Sequence, residues 1–110
     1  MQARRIVSGA AAAAFFFLAC LAAGPAPAAE PPPQTALCTT CHGKDGVGLT
    51  PDAPHIAGQP AMYLQSQLRA FRNGTRKHEV MAVIAKMLSD EDIAALAAWY
   101  SSVKLEVRLP

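Results

Sequence analysis

The stretch Cys38-Thr39-Thr40-Cys41-His42 decides how this chain is read. C-x-x-C-H is the attachment signature of c-type haem, and its spacing has a physical reason. Two thiols three positions apart on one helical turn can both reach the vinyl groups of a porphyrin and form thioethers. His42 follows at once and is brought to one axial face of the iron. Competing readings carry less. A thioredoxin-like dithiol requires strand–helix–strand context, and the sequence offers no convincing strand pair. Zinc requires a fourth ligand, and the remaining candidates, His55 and His78, lack a usual spacing. A disulfide between Cys38 and Cys41 would close too small a ring to staple much.

Composition points the same way. The chain has 110 residues and is 52% hydrophobic, but three of its four phenylalanines lie in the first 29 positions. Beyond them only Tyr63, Phe71, Trp99 and Tyr100 remain as aromatic core material. A domain this small with so few large side chains needs a disulfide, metal, cofactor or partner to complete its core. A buried porphyrin is such a body. The formal charge of +2 comes from Arg4 and Arg5. The rest of the chain is neutral before histidines are counted, a poor start for the basic surface that nucleic-acid binding requires.

Met1–Arg5 is a short basic start, Ile6–Ala23 is apolar, and Ala26-Pro27-Ala28 is an A-x-A-like cleavage site. Residues 1–29 therefore read as a secretory signal peptide, cut near Ala28 or Ala29, which sends the folded part to the periplasm. Two alternatives place it at a membrane on the periplasmic side. The apolar run is marginally long enough for an uncleaved anchor. Phe17-Leu18-Ala19-Cys20 loosely resembles a lipoprotein processing site, and lipid on Cys20 would then be the domain's contact with the membrane.

Residues 30–36 read as a Pro-rich linker and 37–110 as the folded domain. Pro31–Pro33 excludes a helix interior, so helical residues can begin only near Pro33 or Gln34, leaving about one turn before Cys38. Glycines and prolines make 44–59 a loop. Pro60 suits the first position of a helix that Gly74 ends. Leu64, Leu68 and Phe71 share one face of it, with Arg69 and Arg72 off that face. A short helix is expected over Val80–Met87. Ser89 and Asp92 form a capping-box pattern ahead of a helix running to about Val103, striped by Ile93, Leu96, Ala97 and Tyr100. The fold class is all-α, with no internal repeat.

A sixth ligand to the iron can come from several residues. Methionine is the usual partner of histidine in electron-carrying cytochromes and raises the potential. Met62 lies in the first turn of its helix and suits core or surface. Met87 precedes a helix entry, where methionine more often fills a gap in the core. Met81 follows the polar stretch Asn73–Glu79, a loop able to fold over the second face of a haem, and is preferred. Met87 and His78 remain alternatives.

These residues resemble a class I c-type cytochrome. More narrowly, the chain is similar to single domains of periplasmic dihaem cytochromes and to the cytochrome subunit of flavocytochrome c sulfide dehydrogenase. The resemblance spans Leu37–Val103. It rests on Cys38-x-x-Cys41-His42-Gly43, Ala57-Gly58-Gln59, Tyr63-Leu64, Gln67-Leu68, Phe71, Gly74, Arg76, Met81 and Leu88-Ser89-Asp90. It implies a small helical fold wrapped around one covalent haem c, with the methionine seven residues before Leu-Ser as axial ligand, which again selects Met81. It also implies that the Pro54 carbonyl faces the ring N–H of His42 and so orients that ligand. Tyr63, Arg76 and Trp99 are candidates for contact with the haem edge or propionates, with plain surface solvation the alternative for Arg76.

The function implied is outer-sphere electron transfer through a His/Met-ligated Fe(III)/Fe(II) couple between a redox donor and acceptor, with no catalytic residue. One alternative is an obligate electron-accepting subunit of a flavoprotein dehydrogenase. Another is a haem sensor or enzyme with an open sixth site. The chain departs from the class I pattern in its N-terminal helix, which Pro31–Pro33 shortens. The stripe ending at Leu96, Trp99 and Tyr100 is then expected to be partly uncovered, and such a patch would dock a stable partner.

Overall fold

A computed structural model describes residues 29–110. The segment read as a signal peptide, up to position 28, and Cys20 with it, lies outside the described residues. Pro33–Leu37 forms a 3₁₀ turn with proline in its first positions, so the second half of the expected linker is already helical. Thr35 makes the turn close, its N–H and hydroxyl both donating to Pro32 O at 3.0 and 2.7 Å.

Four α-helices follow, and no strand is present among the described residues. Helix α1, Thr39–His42, is a single turn ended by Gly43 at φ 75°. A Cβ at Gly43 would stand 2.3 Å from Val47 O, so only glycine lets the chain turn back so tightly after His42. The loop that follows is pinned at both sides. Leu49 N–H donates to Cys41 O at 2.8 Å, and Gly58 N–H donates to Tyr100 O at 2.8 Å.

Helix α2, Ala61–Asn73, begins after Pro60 and ends at Gly74 in the left-handed conformation, φ 82°. Pro60 thus occupies the cap rather than the first helical position. Helix α3 covers Glu79–Lys86 and α4 covers Asp90–Ser102. The capping box forms: Asp92 N–H donates to Ser89 Oγ at 3.0 Å, and Ser89 N–H donates to Asp92 Oδ2 at 2.9 Å. Three acidic residues follow in the first turn of α4, where they complement the helix dipole.

Helix α2 packs against both α3 and α4. The core joins Leu64 and Leu88 to Ile93, Leu96, Ala97 and Tyr100, with Leu37, Ile56, Leu68 and Trp99 packed against it. The expected uncovered stripe is therefore not found. Leu96 is 1% and Tyr100 2% exposed, because the 3₁₀ turn and the Gly46–Gly58 loop do the covering that a longer N-terminal helix would do. Gly46 is part of this: a Cβ there would meet Tyr100 Cδ1 at 2.9 Å. Only Trp99 of the three stays half-buried. Met87 is a second correction. It is 59% exposed rather than a core filler: it is the C-cap residue of α3, tied to the helix end through its backbone N–H.

Candidate functional site

The helices close on a cavity of about 250 Å³. Cys38, Cys41 and His42 line it from the N-terminal turn, and Pro54 and Ile56 from the loop. Leu64, Leu68 and Phe71 come from α2, Arg76, His78 and Met81 from the crossing into α3, and Leu96 and Tyr100 from α4. Tyr63 also lines it and is half exposed. Every candidate site residue, Cys38, Cys41, His42, Pro54, Tyr63, Arg76 and Met81, is thus brought to one cavity. Met62, Met87 and Trp99 are not on it. Met62 is 85% exposed.

The histidines differ in their proton positions. His42 is buried, and its Nδ1 lies 2.8 Å from Pro54 O. A carbonyl only accepts, so Nδ1 carries the proton and Nε2 keeps its lone pair. His55 and His78 have the reverse arrangement. His55 Nδ1 accepts from Gly48 N–H at 2.8 Å, and His78 Nδ1 accepts from Met81 N–H at 3.2 Å. Their protons in the neutral form sit on Nε2. Of the three, His42 is the one whose Nε2 is free to donate to a metal.

Cys38 and Cys41 form no disulfide. Burial pushes the Cys38 thiol up, with the neighbouring Tyr100 hydroxyl opposing. Burial, and then Cys38, push the Tyr100 hydroxyl well above its ordinary range. Tyr100 Oη is buried beside Cys38 yet meets no acceptor at hydrogen-bonding geometry. An orphaned buried hydroxyl is costly unless something in the cavity partners it. Two cysteines free of a disulfide, an oriented imidazole, a mostly apolar lining and that orphaned hydroxyl together suit a large, flat, covalently held group with a metal at its centre. The alternatives fare worse. Among the described residues no group of three or more His, Cys, Asp or Glu could hold a bare metal ion, and no strand supports a thioredoxin-like dithiol.

At the cavity rim the Arg76 guanidinium sits 4.5 Å from the Phe71 ring centroid, and its Nη1 donates to Gln67 Oε1 at 2.8 Å. The positive charge is thereby held over an aromatic face beside the cavity. Sequence reasoning placed Tyr100 in the core stripe but missed that it also faces Cys38. It weighed His78 as a ligand but missed its backbone partner, although its place just ahead of a short helix was the available signal.

An all-helical fold closed around a C-x-x-C-H cavity defines a class I c-type cytochrome. Residues 34–99 match the family model described as cytochrome c oxidase, cbb3-type, subunit III, and the chain belongs to this cytochrome c family. It is 52% identical over 68 residues to cytochrome c-554(548) of Halomonas halodenitrificans, which covers 59% of this chain and 82% of that protein. It is 46% identical to a thiosulfate dehydrogenase electron acceptor of Thiomonas intermedia, over 66% of this chain and 34% of the relative. Among solved structures, cytochrome c4 of Acidithiobacillus ferrooxidans aligns with TM-score 0.57 and 42% identity, over 60% of this chain and 38% of that one. The chain thus spans most of the first relative and little more than a third of the other two. It carries one covalently bound haem c and belongs to the electron-transfer proteins. No helix among the described residues is long and apolar enough to cross a membrane.

Proposed function

We propose that the chain is an exported, single-haem electron carrier with His42 and Met81 as axial ligands. The bound haem supplies a one-electron Fe(III)/Fe(II) couple. Cys38 and Cys41 hold it as thioethers. His42 offers Nε2 because Pro54 O fixes the proton on Nδ1, which also orients the ring. Met81, half-buried on the cavity, supplies a thioether that favours Fe(II). His78 is the weaker candidate, since its Nδ1 lone pair is already engaged by Met81 N–H. Arg76 and Tyr63, at the rim, are placed to meet propionates. The mostly apolar lining would keep the surroundings of the bound haem low in polarity.

The observation that carries this reading is the 2.8 Å pair between His42 Nδ1 and Pro54 O, which leaves one imidazole lone pair for the cavity. The test is spectroscopic. Protein matured in a periplasm should have the mass of a chain cleaved near Ala29 plus one haem, resistant to acid-acetone extraction. Its oxidised form should show the long-wavelength methionine–iron band. Met81→Ala should abolish that band and lower the potential, whereas Met87→Ala should leave it. A wild-type protein without the band would favour an open sixth site, and with it the sensor reading.

A second reading is favoured by one observation, the Thiomonas relative described as a thiosulfate dehydrogenase electron acceptor. In that reading the domain takes electrons from one dehydrogenase acting on reduced sulfur rather than from a soluble pool. The structural argument for a stably docked flavoprotein rested on an uncovered stripe, and Leu96 and Tyr100 are buried. Reduction by thiosulfate plus a thiosulfate dehydrogenase, compared with sulfide plus a flavoprotein dehydrogenase, separates the two partners.

A further inference from the structure

We propose that His78 is a positioning residue for Met81, acting through the backbone of the methionine itself. The proposal rests on Met81 being the axial ligand. His78 is the N-cap of α3. Its backbone is extended, φ −165° and ψ 128°, and its carbonyl accepts the first helical bond, from Ala82 N–H at 2.9 Å. Its side chain accepts from Met81 N–H at 3.2 Å. A cap normally satisfies whichever amide lies two or three residues on. Here that amide belongs to the residue that presents sulfur to the cavity.

The ring doing this is itself held from outside α3. It meets Phe71 edge-on, with centroids 6.3 Å apart and planes at 75°. Phe71 is a buried residue of α2, covered on its outer side by the Arg76 guanidinium at 4.5 Å. A fixed core residue therefore sets the imidazole, and the imidazole sets the amide of Met81. Little else ties this turn down. Ala85 is the only buried residue of α3, while Val80 and Val83 are 54% and 62% exposed. Packing against α2 holds the body of α3, while the cap fixes the register at which the helix starts, and so the height at which Met81 enters the cavity.

Loss of the cap should loosen the methionine without unfolding the domain. The experiment compares His78→Ala and His78→Asn with Ser89→Ala, which removes the equivalent cap from α4. In the oxidised holoprotein, His78→Ala should raise the apparent affinity of added imidazole by about fivefold, the equivalent of one lost cap. It should also weaken the methionine–iron band, lower the potential and speed amide exchange at Met81. His78→Asn keeps a capping oxygen and should restore all four towards wild type. Ser89→Ala should destabilise globally but leave imidazole affinity and Met81 exchange unchanged. The inference is overturned if His78→Ala and Ser89→Ala give the same imidazole affinity and Met81 exchange, or if His78→Asn behaves like His78→Ala. A failure of the ligand assignment looks different: the band is then absent from wild type or survives Met81→Ala, whatever His78 does.

Discussion

Helices α3 and α4 are neighbours in the chain and opposites in how they are held. Helix α4 buries Ile93, Leu96, Ala97 and Tyr100 against α2 and the N-terminal turn, and its first turn is closed by a reciprocal capping box. Helix α3 buries Ala85 alone, shows Val83 to solvent and turns Val80 to the cavity, and its C-cap Met87 is exposed. One helix stands on packing against protein. The other packs on α2 along a shallow, half-exposed face, and leans as well on its ends and on whatever fills the cavity. That division fits the proposal that α3 presents a ligand to the haem while α4 forms the dry core.

The comparison can be broken most drastically by removing the cofactor's attachment. In a Cys38→Ser, Cys41→Ser chain the cavity cannot be filled covalently, and the remaining core is small for an independent domain. The expected result is loss of cooperative unfolding altogether, a change as large as the whole stability of the fold, about 5–15 kcal/mol. Thermal melting followed by far-UV circular dichroism measures it. A cooperative melt retained in the double variant would show that α2 and α4 form a core without haem, and would make the division between the helices sharper still.

Within the holoprotein the two helices should respond differently to the same kind of truncation. Ile93→Ala removes a fully buried side chain and should cost about 2–5 kcal/mol. Val83→Ala, on the exposed face of α3, should stay within about 0.5 kcal/mol of wild type. Denaturant unfolding monitored on the protein, not on the haem, gives both values. Equal losses would mean that α3 is packed against something in solution that the single chain does not show.

Why the sequence discloses one of these helices better than the other follows from the same contrast. Helices α2 and α4 are legible because their signals are local: Pro60 before and Gly74 after α2, Ser89 with Asp92 before α4, and apolar residues at helical spacing within each. The thiols and His42 are legible because attachment chemistry demands them within one turn. What could not be read depends on contacts distant in the chain. The cover over Tyr100 comes from a glycine-rich loop whose path is set by close approach at Gly46, a tertiary fact with no periodic signature. Met87 looked like core because apolar residues beside helix entries usually are, but it is the exposed C-cap residue of α3. The pairing of His42 with Pro54 was expected only through family resemblance. Nothing in the spacing of those two residues encodes it.

A smaller test concerns the start of α4. Ser89→Ala deletes one half of the capping box, leaving Asp92 N–H without its acceptor, and should cost about 1 kcal/mol. The loss should appear in global unfolding, since α4 belongs to the core and cannot fray without exposing Ile93. Local fraying with unchanged global stability would place α4 in the same class as α3.

The smallest expected effect lies where α2 meets that same helix start. Arg72 Nη2 bonds Asp90 Oδ1, while Arg72 Nη1 donates to Leu88 O at 3.1 Å. The hydrogen bond from Arg72, and then its charge, hold the Asp90 carboxyl below the usual carboxylate range. A carboxyl depressed in the folded state contributes stability that is present above its unfolded pKa, about 3.9. That contribution is lost as pH falls through the folded value. Asp90→Asn should therefore be slightly less stable than wild type near neutrality, and the two should converge in acid. Asp90 is exposed and Arg72 half-buried, so salt should shrink the difference as well. Denaturant midpoints taken near neutral pH and near pH 3, at low and high salt, check the sign. A gap between the two proteins that persists in acid would mean that Asp90 acts through the helix start itself, as a neutral hydrogen-bonding group, and not as the charge that Arg72 holds.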